Sequence, residues 1–154
     1  MRKRYGPRFR SLHSCVDQAM TAALAQMGLT AAQGHIIGFL SRCSAPPCPH
    51  DIEQAFQLRH PTVSGLLRRL EKKAFIRLVP DPADKRCKRV QLLPKGEACN
   101  QQIQQTIDTI ETQLVRDFSQ EEQTLLLELL DRAIHNMGGN IHRPCHRKEE
   151  ESKP

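Results

Sequence analysis

A chain of 154 residues has the length for one domain with a real core, and a single Tyr with no Trp makes that core aliphatic. No apolar run is long enough to span a bilayer, and no apolar signal region follows the basic N-terminal residues, so the chain reads as soluble and cytoplasmic. The net charge of +6 is localised: residues 68–95 hold ten Lys/Arg against three Asp/Glu, and residues 1–10 add five cations and no acid. Because the remainder is acidic, this is an electrostatic footprint for a polyanion and not an evenly basic protein. Six cysteines without a secretion signal read as reduced thiols.

In chain order, the first ten residues are basic and read as mobile, ahead of a first helix from about residue 11. From Leu12, Val16, Ala19, Met20, Ala23, Leu24 and Met27 keep helical spacing until Gly28 stops them. Thr30-Ala-Ala-Gln33 has the form of a capping box, and Ile36, Ile37, Phe39 and Leu40 mark a second helix ending near Arg42. Three prolines make Cys43–Pro49 a loop, and a short helix follows from about His50 or Asp51 with Ile52, Ala55 and Phe56 inward. Gln57–His60 is a turn. His60 is biased towards extended backbone by the proline after it, and Pro61 suits the first turn of the next helix. In that helix Val63, Leu66, Leu67 and Leu70 form an apolar face, opposite Thr62, Ser64, Gly65, Arg68 and Arg69.

After Lys73 the period changes. Ile76–Val79 and Val90–Leu93 are β-prone runs flanking a basic tip, which predicts a hairpin. Pro94 opens a long helix with the seam Ala98, Ile103, Ile107, Ile110, Leu114 and Phe118. Ser119-Gln-Glu-Glu122 is a second capping box, before a leucine-rich helix that Gly138-Gly139 closes. Residues 140–154 are polar and read as disordered.

Helix, short helix, turn, helix and hairpin is the order of a winged helix-turn-helix. The helix can enter the major groove, where base edges are distinguishable, and the basic hairpin can reach the minor groove or phosphates. Arg68 and Arg69 suit guanine edges or phosphates, Thr62 and Ser64 suit phosphates, and Gly65 removes bulk where backbone and DNA approach. From the wing, Arg77, Lys85, Arg86 and Lys88 add cations, with Arg86 as the minor-groove probe.

The chain resembles the MarR family of bacterial transcriptional regulators. The carrying segments are Leu29–Gln33, Asp51–Glu53, His60–Gly65 with Arg69–Lys73, Asp81-Pro-Ala-Asp-Lys-Arg86, Val90–Leu92 and Lys95-Gly96, together spanning roughly residues 12–137. The resemblance implies a mainly α fold with a small β-hairpin wing, a winged helix-turn-helix core at about 30–93. Intertwining dimerisation helices lie at about 11–28 and 94–138. It implies a homodimer on a pseudo-palindromic double-stranded operator, with Asp84 orienting Arg86 through an ion pair. The expected activity is allosteric repression, relieved when a small-molecule effector enters the cleft between winged domain and dimer helices or when a redox signal arrives. No cofactor, membrane contact or enzymatic motif is implied. A winged-helix module for protein–protein contact, or a thiol or metal sensor of the same family, is the alternative.

Two residues depart from the family pattern. Ala74 stands where a glycine usually ends the recognition helix, at a cost on the order of 1 kcal/mol. Leu93 replaces the Thr that caps the long helix, partly offset by Pro94.

Among possible redox residues, Cys15 reads first as an apolar filler and Cys87 as a tolerated surface cysteine, with the cations Arg86 and Lys88 beside it making Cys87 the candidate for the more acidic thiol. Cys43, Cys48 and His50, and His142, Cys145 and His146, lack regular zinc-ligand spacing. His35 has no partner histidine on the long helix, and His13 reads as an interface residue. No metal site is assigned.

Overall fold

Pro7 lies in the first turn of α1 (Gly6–Gln26), so this helix starts earlier than its apolar series suggests and takes in residues expected to lie outside it. The missing N–H of proline costs nothing in a first turn, where no partner for it exists. A computed structural model describes residues 4–139 of the protein. The described residues fall into two compact units that meet between Glu111 and Thr112, inside the fifth helix.

In the first unit, Gly28 takes the left-handed conformation, with φ of 70°, and stops α1. The Thr30 capping box forms as the spelling predicts. Thr30 Oγ1 accepts from the N–H of Gln33, and Gln33 Oε1 accepts from the N–H of Thr30 at 3.1 Å, opening α2 (Ala31–Arg42). The proline loop ends one residue sooner than expected, because Pro49 itself begins α3 (Pro49–Phe56), and Asp51 Oδ2 accepts from the Cys48 N–H at 2.8 Å. That hydrogen bond is the largest of the causes holding the Asp51 carboxyl below its ordinary value. Ile52 is fully buried and Phe56 meets Phe39 edge to face at 5.6 Å, but Ala55, expected inward, is exposed.

Recognition-helix candidate α4 (His60–Lys72) takes its extended N-cap residue from Arg59, one position earlier than the proline rule suggests, so His60 is already helical. Its apolar face is withdrawn completely: Val63, Leu66, Leu67 and Leu70 join Ile36, Ile37, Leu40 and Ile52 in the core. Ala74 ends the helix with φ of 59°, while the Phe75 N–H donates to the Leu70 carbonyl. The departure from glycine is therefore accommodated as strain, with the helix end unchanged in kind.

Strands β1 (Ile76–Pro80) and β2 (Lys88–Leu92) pair antiparallel, with Leu78 opposite Val90. The second strand begins at Lys88 and stops at Leu92, not at Leu93. Its Val90 N–H donates to the Pro47 carbonyl at 2.8 Å, which fastens the proline loop to the hairpin. Leu93 donates its N–H to the Phe75 carbonyl and leads into α5 (Pro94–Leu114). At Gly96 a Cβ would stand 2.4 Å from the Phe75 carbonyl oxygen and 2.5 Å from Leu92, so only glycine lets the helix pass the wing this closely. The seam of α5 differs from expectation at its first position: Cys99 is buried beside Ile103, whereas Ala98 is exposed, and Ile107 packs against the core as expected. The helix also stops at Leu114, short of Phe118.

In the second unit, Ser119 and Glu122 form the second capping box at α6 (Gln120–Asn136). No residue of α6 is buried; Leu127 is 64% exposed, and Leu125, Leu129 and Ile134 are exposed with it. Among the described residues no helix is long and apolar enough to cross a membrane.

Candidate nucleic-acid interface

The outward residues of α4 are those its periodicity assigned. Thr62, Arg68 and Arg69 are exposed, and Ser64 and Gly65 half-buried. Nothing lies within 4 Å of the point where a Cβ on Gly65 would stand, so its small size serves no packing inside the fold. Ser64 is less free than the sequence suggests. Its hydroxyl meets His60 Nε2 at 3.3 Å, and His60 Nδ1 meets Glu53 Oε1 at 2.6 Å, a link from α4 back to α3.

Wing and helix are tied together directly. Glu71 Oε1 accepts from the Leu78 N–H at 2.9 Å, which joins α4 to β1 through a side chain. Arg77 is exposed and donates to Gln91 Oε1 across the hairpin at 2.8 Å. Lys85, Arg86 and Lys88 are exposed in and beside the turn. Further back, Lys73 donates to the Gly28 carbonyl, Lys95 donates to the Lys73 carbonyl, and the Lys95 ammonium lies 4.7 Å from the Phe75 ring centre. Arg77, Lys73 and Lys95, all cations of the basic segment, thus hold structure.

The ion pair expected between Asp84 and Arg86 is replaced by another. Asp84 Oδ1 accepts the backbone N–H of Arg86 at 3.0 Å, and Asp84 Oδ2 lies 3.5 Å from the Cys87 thiol. The wing's ion pair among the described residues joins Asp81 and Arg89. Asp81 also accepts from the Ala83 N–H at 2.8 Å; this hydrogen bond first and Arg89 second hold its carboxyl below the ordinary range. Arg89 Nη1 further donates to the Pro46 carbonyl at 3.4 Å. The reason is the tight turn. Residues two apart satisfy each other's backbone, and the register places Arg89, not Arg86, beside the end of β1. The sequence carried a signal for this pair in two opposite charges flanking a hairpin turn, but register was needed to choose among the cations.

The acidity suggested for Cys87 is overturned for the same reason, while its place on the surface is as expected. Cys87 is exposed between two cations in sequence, yet its thiol is pushed up, chiefly by its hydrogen bond to Asp84 and then by that carboxylate's charge. Cys15 is exposed rather than a packed filler. Burial is the main influence raising Cys43 and Cys99. Among the described residues no group of three or more His, Cys, Asp or Glu is arranged to hold a metal, Cys43, Cys48 and His50 included. His142, Cys145 and His146 lie outside the described residues, as does the tail expected to be disordered.

The geometry can be set against known proteins. A family model described as MarR family matches residues 27–86, from the end of α1 to the wing tip. The HTH-type transcriptional regulator PecS of Dickeya dadantii (strain 3937) is 29% identical over 128 residues, covering 81% of this chain and 76% of that protein. MepR, a transcription regulator of the Staphylococcus aureus multidrug efflux pump MepA, superposes with a TM-score of 0.80 at 29% identity, covering 88% of this chain and 99% of that chain. The S. aureus MepR–DNA complex matches with a TM-score of 0.74 at 30% identity, covering 86% and 99%. The likeness extends over nearly the whole length of such a relative, and the chain belongs to the MarR family of transcriptional regulators.

Proposed function

We propose that this regulator binds double-stranded DNA sequence-specifically. In this reading it is an allosteric repressor, a homodimer on a pseudo-palindromic operator, released by a small-molecule or redox signal. The observation that carries the DNA reading is the division of α4. Its apolar residues are all in the core, while Thr62, Arg68 and Arg69 stand in solvent on a helix packed against the strand that leads to Lys85 and Arg86. Such a helix fits the major groove, with Thr62, Ser64 and Gly65 at its leading end, and a cationic hairpin fits the flanking minor groove or phosphates. That MepR is found bound to DNA supports the same partner for this chain.

The dimer reading is supported by apolar side chains that one chain leaves in water. Tyr5, Phe9 and Leu12 are exposed at the start of α1, and Leu125, Leu127, Leu129 and Ile134 on α6. Helices owe most of their stability to burial of an apolar face, and a second copy supplies it. Half-sites one helical turn apart require two recognition helices about 34–36 Å apart, so an effector that alters this spacing by a few Å releases the operator.

The test is selection of bound sequences from random duplexes followed by a salt titration. Affinity should fall steeply, with a slope of about −0.9 per phosphate neutralised, and Arg86→Ala should weaken binding and reduce that slope by about one. Salt-independent binding, or an Arg86→Ala variant identical to the parent, rejects the DNA reading. Sedimentation that finds a monomer rejects the dimer. An effector that binds yet leaves operator affinity unchanged is not the releasing signal.

A further inference from the structure

Four hydrogen bonds join five side chains of α3 and α4 into one chain, Gln54–His50–Glu53–His60–Ser64. Glu53 is its centre: Oε1 meets His60 Nδ1 at 2.6 Å and Oε2 meets His50 Nδ1 at 3.3 Å. An ionised carboxylate only accepts, so each imidazole places a proton on Nδ1. Neutral His60 then has one lone pair left, at Nε2, where the Ser64 hydroxyl donates; the Gln54 amide does the same for His50 at 3.0 Å. A second proton on His60 changes what this end of α4 offers. Nε2–H becomes a donor, and the Ser64 hydroxyl hydrogen is freed.

The side chain of His60 is 72% exposed and that of Glu53 only 17%, so the imidazole is the outer member of the pair. The first turn of α4 carries no acid, so the anion at this helix start is supplied by α3. Hydrogen bonding by His60, the largest influence, holds the Glu53 carboxyl below its ordinary value, which keeps it an anion wherever imidazoles titrate.

We propose that His60 is a DNA phosphate contact that takes up a proton from solvent on binding, with Glu53 as its positioning residue. This rests on the DNA reading above. A phosphate brought to the start of α4 meets Glu53 as a like charge unless a cation lies between them. An imidazolium satisfies both anions at once, Nδ1–H to Glu53 and Nε2–H to the phosphate. The ionisable groups meeting His60 come from α3: Glu53 directly and His50 through it. Of the other elements packed against α4, neither α2 (His35, Arg42) nor β1 (Arg77) makes a hydrogen bond or ion pair with His60 among the described residues.

The experiment is fluorescence anisotropy with a labelled duplex enriched from a random pool, at constant ionic strength, from about pH 8 to about pH 5.5. One linked proton makes affinity rise by up to about tenfold per pH unit as pH falls. His60→Gln should flatten that rise while keeping a steep salt dependence, and Glu53→Gln, which removes the anion that positions the imidazole, should make it shallower. His50→Gln should retain it, with circular dichroism confirming that each variant is folded. A parent protein whose binding is salt-dependent but pH-independent overturns the proposal, as does an unchanged profile in His60→Gln or a response lost in His50→Gln. Absence of any salt-dependent binding instead overturns the DNA reading itself.

Discussion

Asp81, 6% exposed at the end of β1, accepts from Arg89 Nε across the hairpin at 2.5 Å. Through Arg89 the same carboxylate is linked to the Pro46 carbonyl, so one acid fastens the base of the wing to the loop before α3. Asp81→Asn should lower the urea midpoint at neutral pH. Because the folded carboxyl lies below its unfolded value, its contribution is present above about pH 3.9 and is lost as pH falls through the folded value. The gap between parent and variant should therefore close in acid. A gap that stays constant would assign the effect to shape and not to charge.

Ala74 holds a left-handed φ of 59° that glycine adopts without a Cβ penalty. Ala74→Gly should stabilise the fold by about 0.5–1 kcal/mol, the relief of strain being partly offset by the greater freedom of glycine in the unfolded chain. The measurement is a rise in urea midpoint at unchanged slope. A fall would mean that the strain is smaller than the entropy term.

Gly96 is the opposite case, a glycine with ordinary helical backbone and no room. Gly96→Ala places a methyl 2.4 Å from the Phe75 carbonyl oxygen, which is backbone and cannot swing aside. A loss of about 1–3 kcal/mol is expected by equilibrium unfolding, since overpacking forces backbone to move. An unchanged midpoint would show that α5 can slide along the wing.

Asp84 restrains the Cys87 thiol by hydrogen bond and by charge. Asp84→Asn removes the charge, so more thiolate should be present at neutral pH and alkylation of Cys87 by iodoacetamide should quicken. Mass spectrometry of the peptide carrying Cys87 reads the rate. Equal rates in parent and variant would mean that access, not acidity, controls this thiol.

The local spelling of the chain determined most of its elements by itself. Thr30–Gln33 and Ser119–Glu122 are capping boxes whose partners lie three residues apart, so no distant contact is needed to form them. Val63, Leu66, Leu67 and Leu70 are buried because helical period alone puts them on one face, and the same period turns Thr62, Arg68 and Arg69 outward. Where the reading slipped by one residue, as at Pro49, His60 and Cys99, neighbouring positions had similar local preferences and packing chose between them.

What only the tertiary structure decided was which charges meet. Residues 68–95 present ten cations, and their spelling does not say that Lys73 reaches Gly28, that Lys95 lies over Phe75, or that Asp81 takes Arg89 while Asp84 takes a backbone N–H. These pairs join residues brought close by strand register and helix packing, where a shift of one position exchanges partners. Glu53 and His60, seven apart, meet for the same reason: the left-handed turn at Gln57 swings α4 back against α3. Periodicity is a property of neighbours in the chain and can be read there. Charge pairing depends on which side chains the fold places within a few Å, and that is fixed only when the helices and the hairpin have packed.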